Sequence, residues 1–194
     1  KRIFKHLKTK NVHATQIGAV NCVLVGANTK GINTDWIGYM GSIKNTKIKK
    51  SGKILILGFG GAAQAIFYGF SKKKYKNIIV FNRSRKAIKT SGANRFTKKY
   101  SLIDKHLKEA DLIINTTPTN PLNRKQTKLI KTSTIISDIV YKPKETAFLK
   151  NFKENKKIYG ISMLIEQAIP CFHYWFGFSP DVDSELLNKI NSRI

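Results

Sequence analysis

The chain has 194 residues, 41% of them hydrophobic, and carries 36 Lys and Arg against 11 Asp and Glu, a formal net charge of +25 at pH 7. That is apolar material for one generous domain or a domain and part of another, while the longest apolar runs, such as residues 54–57 and 78–81, fall far short of the roughly 20 residues of a membrane span. Cys22 and Cys171 have neither C-x-x-C nor metal-ligand spacing, which excludes a disulfide framework or zinc site, and they read as reduced core fillers.

No cleavable signal pattern opens the chain, so a cytoplasmic protein with no membrane partner is expected. The basic charge raises the question of a nucleic-acid surface. Its lysines are spread through short runs, as at Lys72-Lys73-Lys74 and Lys98-Lys99, with no recognition motif or interleaved aromatic stripe. They read as solvated faces, and nucleic acid is not an expected partner. His6, His13, His106 and His173 lack ligand spacing and read as surface or packing residues, and no metal is expected.

In chain order, a helical opening includes Ile3, Phe4 and Leu7, residues 17–25 read as a strand, 28–31 as a turn and 35–43 as a helix. The polar stretch 44–52 is a boundary. Beyond it, strand patterns at 53–57, 77–81, 112–115, 134–139 and 157–159 alternate with helical ones at 62–70, 102–110, 124–130 and 145–151. Such alternation implies parallel βαβ units with right-handed crossovers. The tail is helical over 162–176 and 183–190, with Asp183 or Ser184 as the cap of the last helix. Phe172, Trp175 and Phe176 form an apolar face there that is expected to dock on the first part of the chain.

The most informative stretch runs from Lys53 through Gly58-Phe59-Gly60-Gly61-Ala62-Ala63. An apolar β-run stops at a glycine-rich turn and a helical pattern starts at once, which is the layout of a dinucleotide site. The first glycine allows the tight turn, the second lets backbone approach a pyrophosphate, and the small Ala63 lets helix pack on strand. The phosphates would lie at a helix N-terminus. About 20 residues further on, an acidic residue would mark NAD. Here the second strand ends in Asn82-Arg83-Ser84-Arg85-Lys86 instead, and guanidinium and hydroxyl groups suit a 2′-phosphate, so NADP is the expected cofactor. Asn115, Thr116, Thr117 and Pro118 leave a buried strand at the sheet edge where such folds bind ligands, and are expected to line the cleft. Tyr141 follows another strand end and either faces the site or covers it.

These segments, with Ile17-Gly18-Ala19-Val20-Asn21, Asn33-Thr34-Asp35 followed by Gly38, Asp138-Ile139-Val140-Tyr141-Lys142-Pro143, and Gly160-Ile161-Ser162-Met163-Leu164-Ile165-Glu166-Gln167-Ala168, agree in order and spacing with one family. Over almost its whole length the chain resembles shikimate dehydrogenase, lacking that family's amino-terminal part. The resemblance implies reversible, NADP-dependent reduction of 3-dehydroshikimate to shikimate in aromatic amino-acid biosynthesis. It implies that Asn21, Asp35 and Gln167 contact substrate, that Tyr141 lies beside it, and that Gly160 and Met163 border the nicotinamide. It also implies pyrophosphate at residues 58–63 and adenosine phosphate at Asn82, Arg83 and Ser84, with Lys86 alongside.

In the family a lysine paired with the counterpart of Asp35 serves as the acid. Counting back from Ile17 places that lysine just before Lys1, so Lys1 fills the role only in a shifted register, and the serine pair that binds the substrate carboxylate falls further upstream. The chain is therefore expected to be an amino-terminally truncated enzyme. Further departures are Gln64 in place of a common basic residue, a phosphate loop one residue short, and Thr119-Asn120-Pro121 after Pro118.

The expected fold is α/β: a partial substrate-binding domain at residues 1–50, a Rossmann-type NADP-binding domain with a parallel sheet at 51–160, and C-terminal helices at 161–194 returning to the substrate domain. A monomer or homodimer is expected. Alternatives are an NAD-using quinate/shikimate dehydrogenase and a noncatalytic NADP-binding module.

Overall fold

The structure, a computed structural model, describes residues 3–88 and 95–193. In the first part of the chain, strands β1 (Thr9–Lys10), β2 (Cys22–Leu24) and β3 (Lys30–Ile32) form a small mixed sheet in the order β1-β3-β2. Helix α1 (Val12–Ile17) follows β1, and α2 (Asp35–Ser42) follows β3.

This region departs from the sequence expectation. Residues 17–25 were expected to be one strand, but Asn11 caps a helix by accepting the N–H of Ala14 at 2.7 Å, and Ile17 is that helix's last residue. Gly18, at φ 74, ends it. Only Cys22–Leu24 remains strand. The expected turn at 28–31 is cut short because Lys30 and Gly31 already pair with both neighbouring strands. The opening segment is a 3₁₀ turn at Ile3–Lys5, not a longer helix.

The larger sheet is built as the alternation implies. Strands β4 (Lys53–Leu57) and β5 (Asn77–Asn82) are bridged by α3 (Gly61–Lys72). A short antiparallel pair, β6 (Ala87–Ile88) with β7 (Arg95–Phe96), precedes β8 (Lys98–Lys99). Then follow α4 (Asp104–Leu107), β9 (Leu112–Asn115), α5 (Arg124–Thr127), β10 (Ile135–Asp138) and β11 (Lys157–Ile158). Among the described residues the order is β11-β10-β9-β4-β5-β8, with every pairing parallel.

Each residue from Ile54 to Leu57 is 0% exposed, because both faces of the sheet are covered. Ile54 and Ile56 pack with Tyr39, Ile66, Phe67 and Phe70 of α2 and α3. Leu55 and Leu57 pack with Ile103, Leu107 and Phe148 on the other side. The expected helices at 102–110, 124–130 and 145–151 are shorter than their patterns suggested. The last is a 3₁₀ turn at Leu149–Asn151, where the Thr146 hydroxyl takes the Leu149 N–H at 3.2 Å.

Helix α6 (Gly160–Phe176) brings the chain back to the small sheet, and α7 (Ser184–Asn191) follows, capped by Asp183, which accepts the Leu186 N–H at 2.8 Å. The α2–α6 crossing depends on Gly38: a Cβ there would lie 2.5 Å from the Cβ of Gln167 and 2.7 Å from its backbone nitrogen. Glycine permits this approach of backbones. Cys171 of α6 packs with Cys22 and Ile32, and Trp175 donates its indole N–H to the Val23 carbonyl at 3.2 Å. Phe172 and Phe176 stack at 4.4 Å between ring centroids, but Phe176 stays largely exposed, so only part of the expected apolar face docks. None of the described helices is long and apolar enough to cross a membrane.

Candidate active site

The chain leaves β4 toward β5 on one side, whereas β9 leads to β10 on the other. A parallel sheet opens a crevice at the carboxyl ends of its strands where the order reverses in this way. Gly58 lies there at φ 102, its N–H donating to the Phe81 carbonyl at 2.8 Å. A Cβ on Gly58 would come 2.6 Å from Thr116 Oγ1 and 2.9 Å from Thr117 Cγ2, so glycine is required by conformation and by space. Gly60 caps α3 without any side-chain cap, and a Cβ on it would meet nothing within 4 Å. Gly60 thus leaves open space at the N-terminus of α3, where an anion suits the helix dipole.

The crevice is a 740 Å³ cavity lined by Gly58, Phe59, Gly60, Asn82, Arg83, Thr116, Thr117 and Pro118, together with Tyr100, Thr119 and Pro121. Eight expected cofactor residues thus share one cleft of dinucleotide size. Gly61, Ala62 and Ala63 form the first turn of α3, with Ala63 buried in the core below the cleft. Ser84 belongs to the loop after β5, and Lys86 lines a neighbouring 490 Å³ cavity with Phe59 and Gln64.

Asn115 stands behind the wall. Its amide donates to the carbonyls of Thr117 and Thr119 and to Asp138, while its Oδ1 accepts from the Thr117 N–H and hydroxyl. It shapes the loop that lines the cleft. Asp138 is buried, which pushes its carboxyl above the usual range, and it also accepts the Thr146 hydroxyl at 2.6 Å and the Val140 N–H at 3.0 Å. Tyr100 had no sequence signal. Its ring packs by Phe81, and burial pushes its hydroxyl up to about 12.

A second, smaller pocket of 210 Å³ is lined by Asn21, Asp35, Ile139, Tyr141, Gly160, Met163, Leu164 and Gln167. It contains all four expected substrate residues and both residues expected at the nicotinamide. Its Ile139 and Tyr141 follow β10, and Asp138 pairs with Asn115, whose following loop walls the larger cleft. Pocket and cleft therefore both draw walls from the ends of adjacent strands. Tyr141 is half-exposed at the rim.

The β2–β3 pairing puts Asn21 beside the start of α2. Cys22 opposes Ile32, Asn21 donates its N–H to the Ile32 carbonyl at 3.2 Å, and its Oδ1 accepts the Thr34 N–H at 2.8 Å. The Asn21 amide then donates to Thr34 Oγ1 at 2.8 Å, Asp35 Oδ1 at 2.9 Å and Gln167 Oε1 at 3.0 Å. Three segments 146 residues apart at the extremes converge on this one amide. Asp35 is the first residue of α2 and Thr34 its N-cap position. Burial is the main influence on Asp35 and raises its carboxyl to about 6, partly offset by the Asn21 hydrogen bond.

Sequence reasoning missed Thr34 and Cys171. The Thr34 hydroxyl lies 3.1 Å from Cys171 Sγ and 3.4 Å from Gln167 Oε1, and so braces the Asn21–Gln167 pair from below. Both cysteines are free and buried, as expected. Burial and the neighbouring Cys171 push the Cys22 thiol up to about 12. Lys1, the candidate partner of Asp35 in a shifted register, lies outside the described residues.

A profile of the shikimate / quinate 5-dehydrogenase family matches residues 42–148. A shikimate dehydrogenase (NADP(+)) of Bartonella quintana is 36% identical over 205 residues, covering 96% of this chain and 70% of that protein. The crystal structure of shikimate dehydrogenase from Aquifex aeolicus superposes with a TM-score of 0.81 at 30% identity, covering all of this chain and 73% of the other. Shikimate 5-dehydrogenase from Thermus thermophilus in complex with NADP(H) and shikimate gives a TM-score of 0.79 at 28% identity, covering 99% and 74%. With the glycine turn, the basic loop after β5 and the converging Asn21, Asp35 and Gln167 all in place, the chain belongs to the shikimate / quinate 5-dehydrogenase family.

Proposed function

We propose that the chain is the NADP-binding and acid–base part of a shikimate dehydrogenase, an oxidoreductase that interconverts 3-dehydroshikimate and shikimate. The observation that carries this reading is the pairing of a 740 Å³ dinucleotide cleft with an adjoining pocket where Asp35, Asn21 and Gln167 meet. NADP(H), when bound, supplies or accepts the hydride. The residues do the rest. Gly58, Gly60 and the first turn of α3 hold the pyrophosphate, Asn82, Arg83 and Ser84 hold the 2′-phosphate, and the Thr116–Pro118 wall confines the dinucleotide.

Asn21 and Gln167 fix the substrate hydroxyls through amides already oriented by Thr34. Asp35, ionised above about 6, accepts the hydrogen of the reacting alcohol or holds an ammonium charged beside it, so that a proton can move as hydride leaves carbon. Gly160 and Met163 floor the point where the two ligands meet. A monomer or homodimer in the cytoplasm, in the pathway to aromatic amino acids, completes the reading.

Initial rates with NADP⁺ and NAD⁺, each paired with shikimate and quinate, test it. NADP⁺ with shikimate should give the highest kcat/KM, by at least about tenfold over NAD⁺, since only the former meets the Arg83 guanidinium with its extra phosphate. Equal or better use of NAD⁺ or of quinate would favour an NAD-using quinate/shikimate dehydrogenase. NADPH binding without turnover, both in this chain and in one extended upstream of Lys1, would favour a noncatalytic module, whereas turnover restored by the extension would keep the dehydrogenase reading.

A further inference from the structure

The loop that follows β5 is held by hydrogen bonds of its own, and the group that makes most of them lies outside the cleft. Thr97 sits between β7 and β8 and is 3% exposed. Its hydroxyl accepts the Lys86 N–H at 2.8 Å and donates to the Ser84 carbonyl at 3.1 Å. Its own N–H donates to the Lys86 carbonyl at 2.9 Å. One hydroxyl thus satisfies an inward-facing donor and an inward-facing acceptor two residues apart, a double role that a Val or Ala at this place cannot fill.

On the other side of the loop, the Asn82 amide donates to the same Ser84 carbonyl at 3.0 Å. Arg85 is drawn away, its guanidinium 4.3 Å from the centroid of the Phe96 ring. The result is a loop with Arg83 on the cleft and Ser84 held from two directions.

We propose that Thr97 is a positioning residue for 2′-phosphate recognition: its hydroxyl locks residues 84–86 so that Arg83 and Ser84 stand ready for the phosphate that distinguishes NADPH from NADH. The inference rests on the reading of this cleft as an NADP site. A loop ordered in advance gives up no conformational freedom when the ligand arrives, so affinity gained in this way is specific to the ligand that touches the loop. NADH shares the pyrophosphate, nicotinamide and adenine contacts but offers this loop only a neutral 2′-hydroxyl in place of the charged phosphate.

Fluorescence titrations of the parent, Thr97→Val and Thr97→Ser with NADPH and with NADH test the proposal. Thr97→Val should raise the Kd for NADPH about tenfold while that for NADH moves by less than about twofold, and Thr97→Ser should stay near the parent for both. Unchanged NADH affinity also reports that the variant is folded. Should Thr97→Val not yield folded protein, the smaller Thr97→Ala carries the same expectation. An equal loss for both cofactors, or no change for either, overturns the role of Thr97 while leaving the NADP reading intact. A parent that binds NADPH no better than NADH overturns the NADP reading and the role of Thr97 with it.

Discussion

Asp35→Asn should lower kcat/KM for shikimate oxidation by about a hundredfold or more, yet leave the folded protein more stable near neutral pH. The two effects have one origin. Burial lifts the Asp35 carboxyl to about 6 from an ordinary 3.8. The charged form therefore costs the native state on the order of 3 kcal/mol relative to the unfolded chain at neutral pH. Asparagine is nearly isosteric, keeps an acceptor for the Asn21 amide, and removes the charge.

The pH dependence follows from the direction of the shift. Asp35 stabilises the fold most when protonated, below about 4, and that contribution is lost as pH rises through about 6. The stability advantage of Asp35→Asn should accordingly grow from about pH 4, be complete above about pH 6, and vanish toward pH 4. Activity runs the other way, since the ionised carboxylate is the proposed working form, so kcat/KM of the parent should fall as pH drops through about 6. Thermal melts and rate profiles of the same two proteins across this range check both. A variant that keeps its rate, or that is less stable than the parent at neutral pH, would remove Asp35 from the acid–base role.

Gly58→Ala should weaken NADPH binding by about a hundredfold and destabilise the fold by about 1–3 kcal/mol. At φ 102 any side chain is strained, and the new methyl would press on Thr116 Oγ1 at 2.6 Å and Thr117 Cγ2 at 2.9 Å. Thr116 cannot give way freely, because its hydroxyl is bonded to the Leu57 carbonyl at 2.7 Å. The wall of the cleft must therefore shift. Gly60→Ala provides the contrast: it has no neighbour within 4 Å and an ordinary negative φ of −81°, so it should melt like the parent and still bind NADPH poorly, since its methyl fills the space proposed for the pyrophosphate. NADPH titrations and melting curves on both variants separate strain from occlusion, and a tight-binding Gly60→Ala would move the pyrophosphate away from this turn.

The nucleotide half of the molecule was legible because its signals are local. A β-run, a glycine turn and a helix in consecutive residues, followed by a second strand, mark a parallel βαβ unit within about thirty positions. The substrate half was not. Its strands are two or three residues long, too short for a period to show, and the apolar run from Ile17 to Val25 hides a helix end, a left-handed glycine and a strand. Asn11 and Gly18, a cap and a stop at helical distance, were the signals that would have divided it. Asn21, Asp35 and Gln167 come together only through tertiary packing, so a family resemblance could nominate them but no pattern within the chain could. Thr34 and Thr97 were invisible for a further reason: a threonine next to a strand is ordinary until the groups on either side of its hydroxyl are known.

In the proposed complex a dinucleotide in the Gly58–Pro118 cleft and a hydroxy acid at Asp35 face each other across Gly160 and Met163. A crystal structure of the protein with NADP⁺ and shikimate bound tests it most directly. The 2′-phosphate should lie at Arg83 and Ser84, the nicotinamide ring against Met163, and the reacting hydroxyl within hydrogen-bond reach of Asp35. A dinucleotide bound away from the glycine turn, or a shikimate whose reacting carbon lies remote from both the nicotinamide and Asp35, would contradict it.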